Sequence, residues 1–216
     1  MQTPAMINLL IKDSDSLYRQ GMEKFLTDLF FEEFGLQAII SSDFTRTNVS
    51  QADVIVMELC KGESFMCFPE LQTRGRSLII GVINHDFVKV APLAGCISDI
   101  TFVKRSASLE SIRRNIIRYW ERKDQPNALT HSNNCYICRH KRLSYQQVRI
   151  MSGIYSGKTY REISEDLNIN QKVVYSHKYV VMNKFNLRSD YELLIFLNKL
   201  KEKNPVYNCL NDSQEY

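Results

Sequence analysis

Five apolar runs shape the first half of this chain: Ile7–Ile11, Leu36–Ile40, Val54–Leu59, Leu78–Ile83 and Ile100–Val103, all short and rich in Val and Ile. Runs of this length and composition suit strands buried on both faces, which belong in a parallel sheet covered by helices. The intervening sequence supplies the helices. Leu17, Gly21, Phe25, Leu29 and Phe30 fall on one helical face within Leu17–Phe34, and Ile112, Ile116, Ile117 and Trp120 do so within Ser108–Trp120. Strands alternating with helices predict βαβ units. Residues 1–120 therefore read as an α/β domain with about five parallel strands.

With 44% hydrophobic residues the chain has ample material for packed cores, which excludes disorder along its whole length. None of the apolar runs is long enough to span a bilayer. No basic start followed by an apolar run marks a secretory signal. The expectation is a cytoplasmic protein with no membrane partner. Of the six cysteines, Cys60, Cys67 and Cys96 sit in or beside apolar runs as small core residues, and without export structural disulfides are not expected.

Charge is unevenly divided. Residues 1–120 carry 13 Lys/Arg against 14 Asp/Glu, whereas residues 141–203 carry 12 against 6. The basic excess belongs to one short segment, where it either solubilises a surface or attracts phosphate. Residues 121–140 are polar, lack periodicity and read as an interdomain linker, while 204–216 read as a loose tail.

Between these, the pattern is helical throughout. Ser144 is placed to cap a helix through Val148, Met151 and Ile154 that stops near Gly157. Thr159 caps a second, with Glu162 three residues on as a capping box. Asn168-Ile169-Asn170 makes the turn, and Asn170 caps a third helix from Gln171 to about Phe185, with Val173, Val174, Val181 and Phe185 inward. A fourth, about Tyr191–Lys201, carries Leu193, Leu194, Phe196, Leu197 and Leu200, more apolar residues than a small core needs, so it is expected to serve association. Two short helices joined by a tight turn, the second presenting polar and cationic residues, match a reader of the DNA major groove. Tyr175, Ser176 and Tyr179 are expected at base edges; Lys172, Lys178, Lys184 and Arg161 at phosphates.

The segments Leu143-Ser144, Gly157–Ser164, Leu167-Asn168-Ile169, Val173–Lys178, Lys184–Leu187 and Glu192-Leu193 together resemble the LuxR/FixJ (NarL)-type helix-turn-helix. The resemblance implies that Tyr175, Ser176 and Tyr179 face the bases, that Lys172 and His177 lie near the backbone, and that Thr159 belongs to the same DNA-binding set. Val173 stands where the family usually has Thr, Gln147 where it has Glu, and Tyr175 where Lys is common, so no target sequence carries over.

The first 120 residues resemble a receiver domain. Ile7–Asp15 is similar to its first strand and acidic corner, Ala52–Leu59 to its third strand and Phe102-Val103-Lys104 to its fifth. Phosphoryl transfer to a receiver needs an Asp nucleophile, Mg²⁺-holding acids, a hydroxyl and a Lys. Here Glu58 stands at the nucleophile position, Asp13 is the clear member of the acidic pair and Lys104 is in place, but the run Leu78–Ile83 ends without Ser or Thr. The pocket of Asp13, Glu58 and Lys104 thus reads as a degenerate phosphoacceptor site. Two accounts stand: a Glu58–Lys104 pair imitating phosphorylation, or a decayed pocket kept as a dimerisation scaffold.

A degenerate receiver before this helix-turn-helix resembles the Rcs-type auxiliary regulators. The resemblance implies double-stranded DNA as ligand, and a homodimer or a heterodimer with a response regulator of the same family. Cys135 and Cys138, flanked by His131 and His140, make the best metal-ligand pattern, yet no second Cys pair completes it and plain linker residues are the reading preferred. No Gly-rich phosphate loop or nucleophile elbow appears, and His85 beside Asp86 reads as a loop pair. The expectation is a non-enzymatic regulator without a cofactor. The competing class is an adaptor whose basic helices contact an acidic protein.

Overall fold

The computed structural model describes residues 5–84, 93–122 and 140–203. Two compact units emerge, one from segments Met1–Leu59 and Cys67–His140, the other from Cys60–Met66 and Lys141–Tyr216.

The first unit is the expected α/β fold. Strands β1 (Met6–Lys12), β2 (Gln37–Ser41), β3 (Val54–Glu58), β4 (Leu78–Ile83) and β5 (Thr101–Lys104) form one parallel sheet in the order β2-β1-β3-β4-β5. Side chains alternate across a pleated strand. Ile7, Leu9 and Ile11 of β1, with Val54 and Val56 of β3, therefore enter one core, packed on helix α1 (Ser16–Phe34) and helix α3 (Leu109–Arg122) through Leu26, Phe30, Ile112 and Ile116. Leu10, Ile55 and Met57 enter the opposite core with Val49 of helix α2 (Arg46–Gln51), Leu71 and Ile97. Both faces of the central strands are buried, which is why their sequence is continuously apolar. Asp15 caps α1 by accepting from the backbone N–H groups of Leu17 and Tyr18. Beyond β3 the described connections carry 3₁₀ turns, Pro69–Thr73 before β4 and Gly95–Ile97 before β5.

In the second unit, α4 (Tyr145–Tyr155), α5 (Tyr160–Leu167), α6 (Gln171–Lys184) and α7 (Asp190–Lys203) surround a core of Ile150, Ile163, Val174, Val181, Phe185, Leu193 and Phe196. Ser144 and Thr159 each form a full capping box, with Gln147 and Glu162 respectively. Gly153 lets α4 and α5 approach closely: a Cβ there would lie 2.7 Å from Cγ1 of Ile163.

Residues 60–66 complete this unit as a short strap, although no local pattern separates them from residues 1–120. Gly62, at φ 94°, lies against Phe196 and Phe185, and an added Cβ would meet the Phe196 ring at 2.9 Å. Lys61 Nζ donates to both carboxylate oxygens of Glu192, at 2.8 and 2.9 Å. Buried Glu63 accepts from the Cys60 backbone N–H at 2.6 Å and pairs with Lys203. The Lys141 backbone N–H donates to the Phe65 carbonyl at 2.7 Å, and its ammonium lies over the Phe65 ring.

Candidate nucleic-acid interface and acidic pocket

The turn between α5 and α6 is built by two asparagines. Asn168 takes the left-handed conformation at φ 50°, which Asn tolerates better than most residues, and ends α5. Asn170 then caps α6, its side chain accepting from the Lys172 backbone N–H at 2.8 Å.

On α6, inward and outward residues separate at helical spacing. Val174, Lys178, Val181 and Phe185 point inward; Lys172, Tyr175, Ser176 and Tyr179, at spacings of three and four, share the exposed face. Tyr179 is 60% exposed. Tyr175 leans on Tyr160 of α5 with ring centroids 4.3 Å apart, and Ser176 Oγ donates to the Lys172 carbonyl at 2.9 Å. His177 is half-buried. Arg161 is exposed and pairs with Glu165 one turn on at 2.8 Å; Thr159 spends its hydroxyl on the capping box. Lys184 Nζ donates to the Arg142 carbonyl.

Two residues depart from expectation. Val173, expected inward, is exposed, one position off the stripe set by Val174 and Val181. Lys178, expected among the phosphate contacts, is 7% exposed, and its ammonium donates to Tyr160 Oη at 2.8 Å and Asp190 Oδ2 at 2.7 Å. Burial pulls this ammonium down, but the hydrogen bonds to Asp190 and Tyr160 outweigh it and hold the group above its ordinary value. Helical arithmetic places Lys178 four residues after buried Val174; its charge obscured that signal. It joins α5, α6 and the start of α7.

In the first unit, Asp13 and Glu58 converge at the carboxyl ends of β1 and β3, the point where strand order reverses and where open α/β sheets place their ligand sites. The sequence did not single out Arg105, the residue after Lys104, yet it organises this pocket. Its guanidinium donates to both Asp13 oxygens at 2.9 and 2.7 Å, and lies 3.5 Å from Asp15 and 3.5 Å from Glu58. The ring of Tyr18 packs beneath it at 4.0 Å. Burial alone would lower the guanidinium; the hydrogen bonds and charge of Asp13 raise it instead. Glu58 also accepts from Ser14 Oγ at 2.5 Å. Lys104 is exposed. The basic pair Lys104-Arg105 at the end of β5 was the available clue.

Cys135, Cys138 and His131 lie outside the described residues, as do His85 and Asp86. Among the described residues no group of His, Cys, Asp and Glu is arranged to hold a metal ion, and no helix is long and apolar enough to cross a membrane.

Residues 141–197 match the model of the luxR family of bacterial regulatory proteins. The helical unit is a LuxR-type helix-turn-helix domain. This family comprises DNA-binding transcription regulators rather than enzymes. None of the curated proteins matches the chain in sequence at a significant level. Among solved structures, RcsB from Salmonella enterica serovar Typhimurium, bound to a promoter in the presence of phosphomimetic BeF3−, is 17% identical, covering 90% of this chain and 98% of its own at a TM-score of 0.53. An RcsB–DNA complex is 18% identical, covering 89% and 98%, with a TM-score of 0.47. The likeness at 0.53 is one of fold: a five-stranded parallel receiver-like unit with a LuxR-type domain.

Proposed function

We propose that this chain is a sequence-specific DNA-binding transcription regulator that acts without receiver phosphorylation. The observation that carries the reading is the outward face of α6, where Lys172, Tyr175, Ser176 and Tyr179 are presented together beyond an Asn-built turn. A helix so mounted offers two tyrosines and a serine to base edges and a cation to phosphate. Arg161, Lys184, Thr159 and His177 flank it, with Lys178 acting from inside by fixing α6 to α5 and α7.

Independence from phosphorylation is supported by the acidic pocket. With Glu58 in place of an aspartate nucleophile and a guanidinium already neutralising Asp13, the pocket has neither the acceptor nor the open acidic pair that Mg²⁺-dependent phosphoryl transfer uses. The ion pairs joining Glu58, Asp13 and Arg105 favour a structural role for it over mimicry of a phosphorylated state. The DNA-bound species is a dimer, assembled through α7, which leaves Tyr191 and Leu194 exposed. Its action is confined to the cytoplasm.

Selection of bound sites from random duplex DNA by the full-length protein tests this reading. A two-fold symmetric motif, unchanged by acetyl phosphate or BeF3−, is the result expected of a self-sufficient homodimer. Weak, salt-sensitive binding with no motif, converted to a motif by an added response regulator, identifies an auxiliary subunit of a heterodimer. Salt-insensitive binding to a protein and none to DNA would overturn the proposal in favour of an adaptor.

A further inference from the structure

The second core of the α/β unit contains two neighbouring thiols that the DNA-binding reading leaves unused. Cys67, half-buried, follows the strap, and Cys96, 3% exposed, sits in the 3₁₀ turn before β5. The Phe68 backbone N–H donates to Cys96 Sγ at 3.4 Å, which brings the chain at Cys67 directly against that turn, and both cysteines belong to the same core. The neighbouring Cys67 side chain lowers the Cys96 thiol to about 7 against the opposing effect of burial, with further help from the Phe68 N–H and the charge of Arg74. The third described cysteine, Cys60, contrasts with it. Burial and the adjacent Glu63 carboxylate push its thiol far up and hold it protonated.

We propose that Cys67 and Cys96 form a reversible dithiol–disulfide couple, oxidised by a small-molecule disulfide such as oxidised glutathione. Cys67 is the more accessible partner and reacts first. Its sulfur attacks the glutathione disulfide, the S–S bond breaks, and one glutathione leaves, taking up the Cys67 proton. The Cys96 sulfur then attacks the Cys67 sulfur of the mixed disulfide. The second glutathione leaves with the Cys96 proton as the Cys67–Cys96 bond forms. Two protein thiols lose two electrons and one glutathione disulfide gains them, so the step balances. Thiolate character, not bulk exposure, makes Cys96 fit to resolve the mixed disulfide.

The test uses the full chain with Cys135, Cys138 and Cys209 replaced by Ser, leaving Cys60, Cys67 and Cys96. After treatment with oxidised glutathione, thiols are counted under denaturing conditions and peptides are mapped by mass. The expected result is loss of two of the three thiols with a Cys67–Cys96 linkage, reversed by dithiothreitol. Cys96→Ser should stop at one glutathione on Cys67. Retention of all three thiols, a stable adduct on Cys67 in the chain that keeps Cys96, or a Cys60–Cys67 linkage would overturn the proposal. Peptide mapping of the unsubstituted chain decides the question independently should the triple replacement not fold.

Discussion

The acidic pocket of the sheet and the outer face of α6 carry similar numbers of polar side chains and use them in opposite ways. Around Arg105 the charges face one another: Asp13, Asp15 and Glu58 are gathered by a single guanidinium. Along α6 the polar groups of Lys172, Tyr175, Ser176 and Tyr179 face solvent while Lys178, a cation satisfied internally, lies on the other side of the helix. A polar cluster whose members face one another contributes to the fold, whereas one turned outward is available to a ligand. Charge alone does not separate the two; direction does.

Removing Arg105 should break this contrast most severely. Arg105→Met leaves Asp13, whose side chain is 1% exposed, without its cation, and costs about 3 kcal/mol in denaturant unfolding. Millimolar Mg²⁺ should return part of that loss, because the pocket then becomes an open acidic site. A Mg²⁺-insensitive variant as stable as the parent would show that Arg105 does not hold the pocket together. Next, Gly62→Val forces a branched side chain into a positive-φ position against Phe196, and the helical unit should lose about 2 kcal/mol or more, read from its thermal transition.

Two of the three lysines of α6, Lys172 and Lys178, sharpen the comparison within one helix. Lys178→Ala should cost about 1–2 kcal/mol of stability by removing the hydrogen bonds to Tyr160 and Asp190. Lys172→Ala should leave stability unchanged and instead reduce the slope of log affinity against log salt by about 0.9. Equal effects of both on the salt slope would contradict the inward assignment of Lys178. Tyr175→Ala should narrow the gap between selected and scrambled sites by about 1 kcal/mol with the salt slope unaltered. The smallest effect is that of pH. The folded protein holds Lys178 above its ordinary value, so its contribution is complete below the unfolded lysine value and fades as pH rises through the folded one. Thermal midpoints of the parent and of Lys178→Met should therefore converge only in strongly alkaline buffer.

The sheet was readable because strands buried on both faces, such as Val54–Glu58, must be apolar throughout, and the helix ends because Ser144, Thr159 and Asn170 each supply a specific acceptor to an unpaired N–H. The outward trio Tyr175, Ser176 and Tyr179 followed from the same periodicity. Arg105 was hidden because its partners Asp13 and Glu58 lie 92 and 47 residues away, and such pairings leave no local pattern. Lys178 was misplaced because chemical type outweighed position. The strap was invisible for a similar reason: Lys61, Gly62 and Glu63 acquire meaning only beside Glu192, Phe196 and Lys203.

Because residues 60–66 belong to the helical unit, the chain passes between its two units three times rather than once. A fragment trimmed at the obvious boundary near residue 141 would omit a structural piece of the domain it was meant to isolate, baring Phe185 and Phe196 where Gly62 had covered them. Exchange of this domain between relatives would meet the same obstacle, since a graft of residues 141–203 carries its helices but leaves behind the seven residues that close them. A chain cleaved between residues 140 and 141 would lose one of the three passages, and the two products should still travel together through a sizing column until denaturant is added.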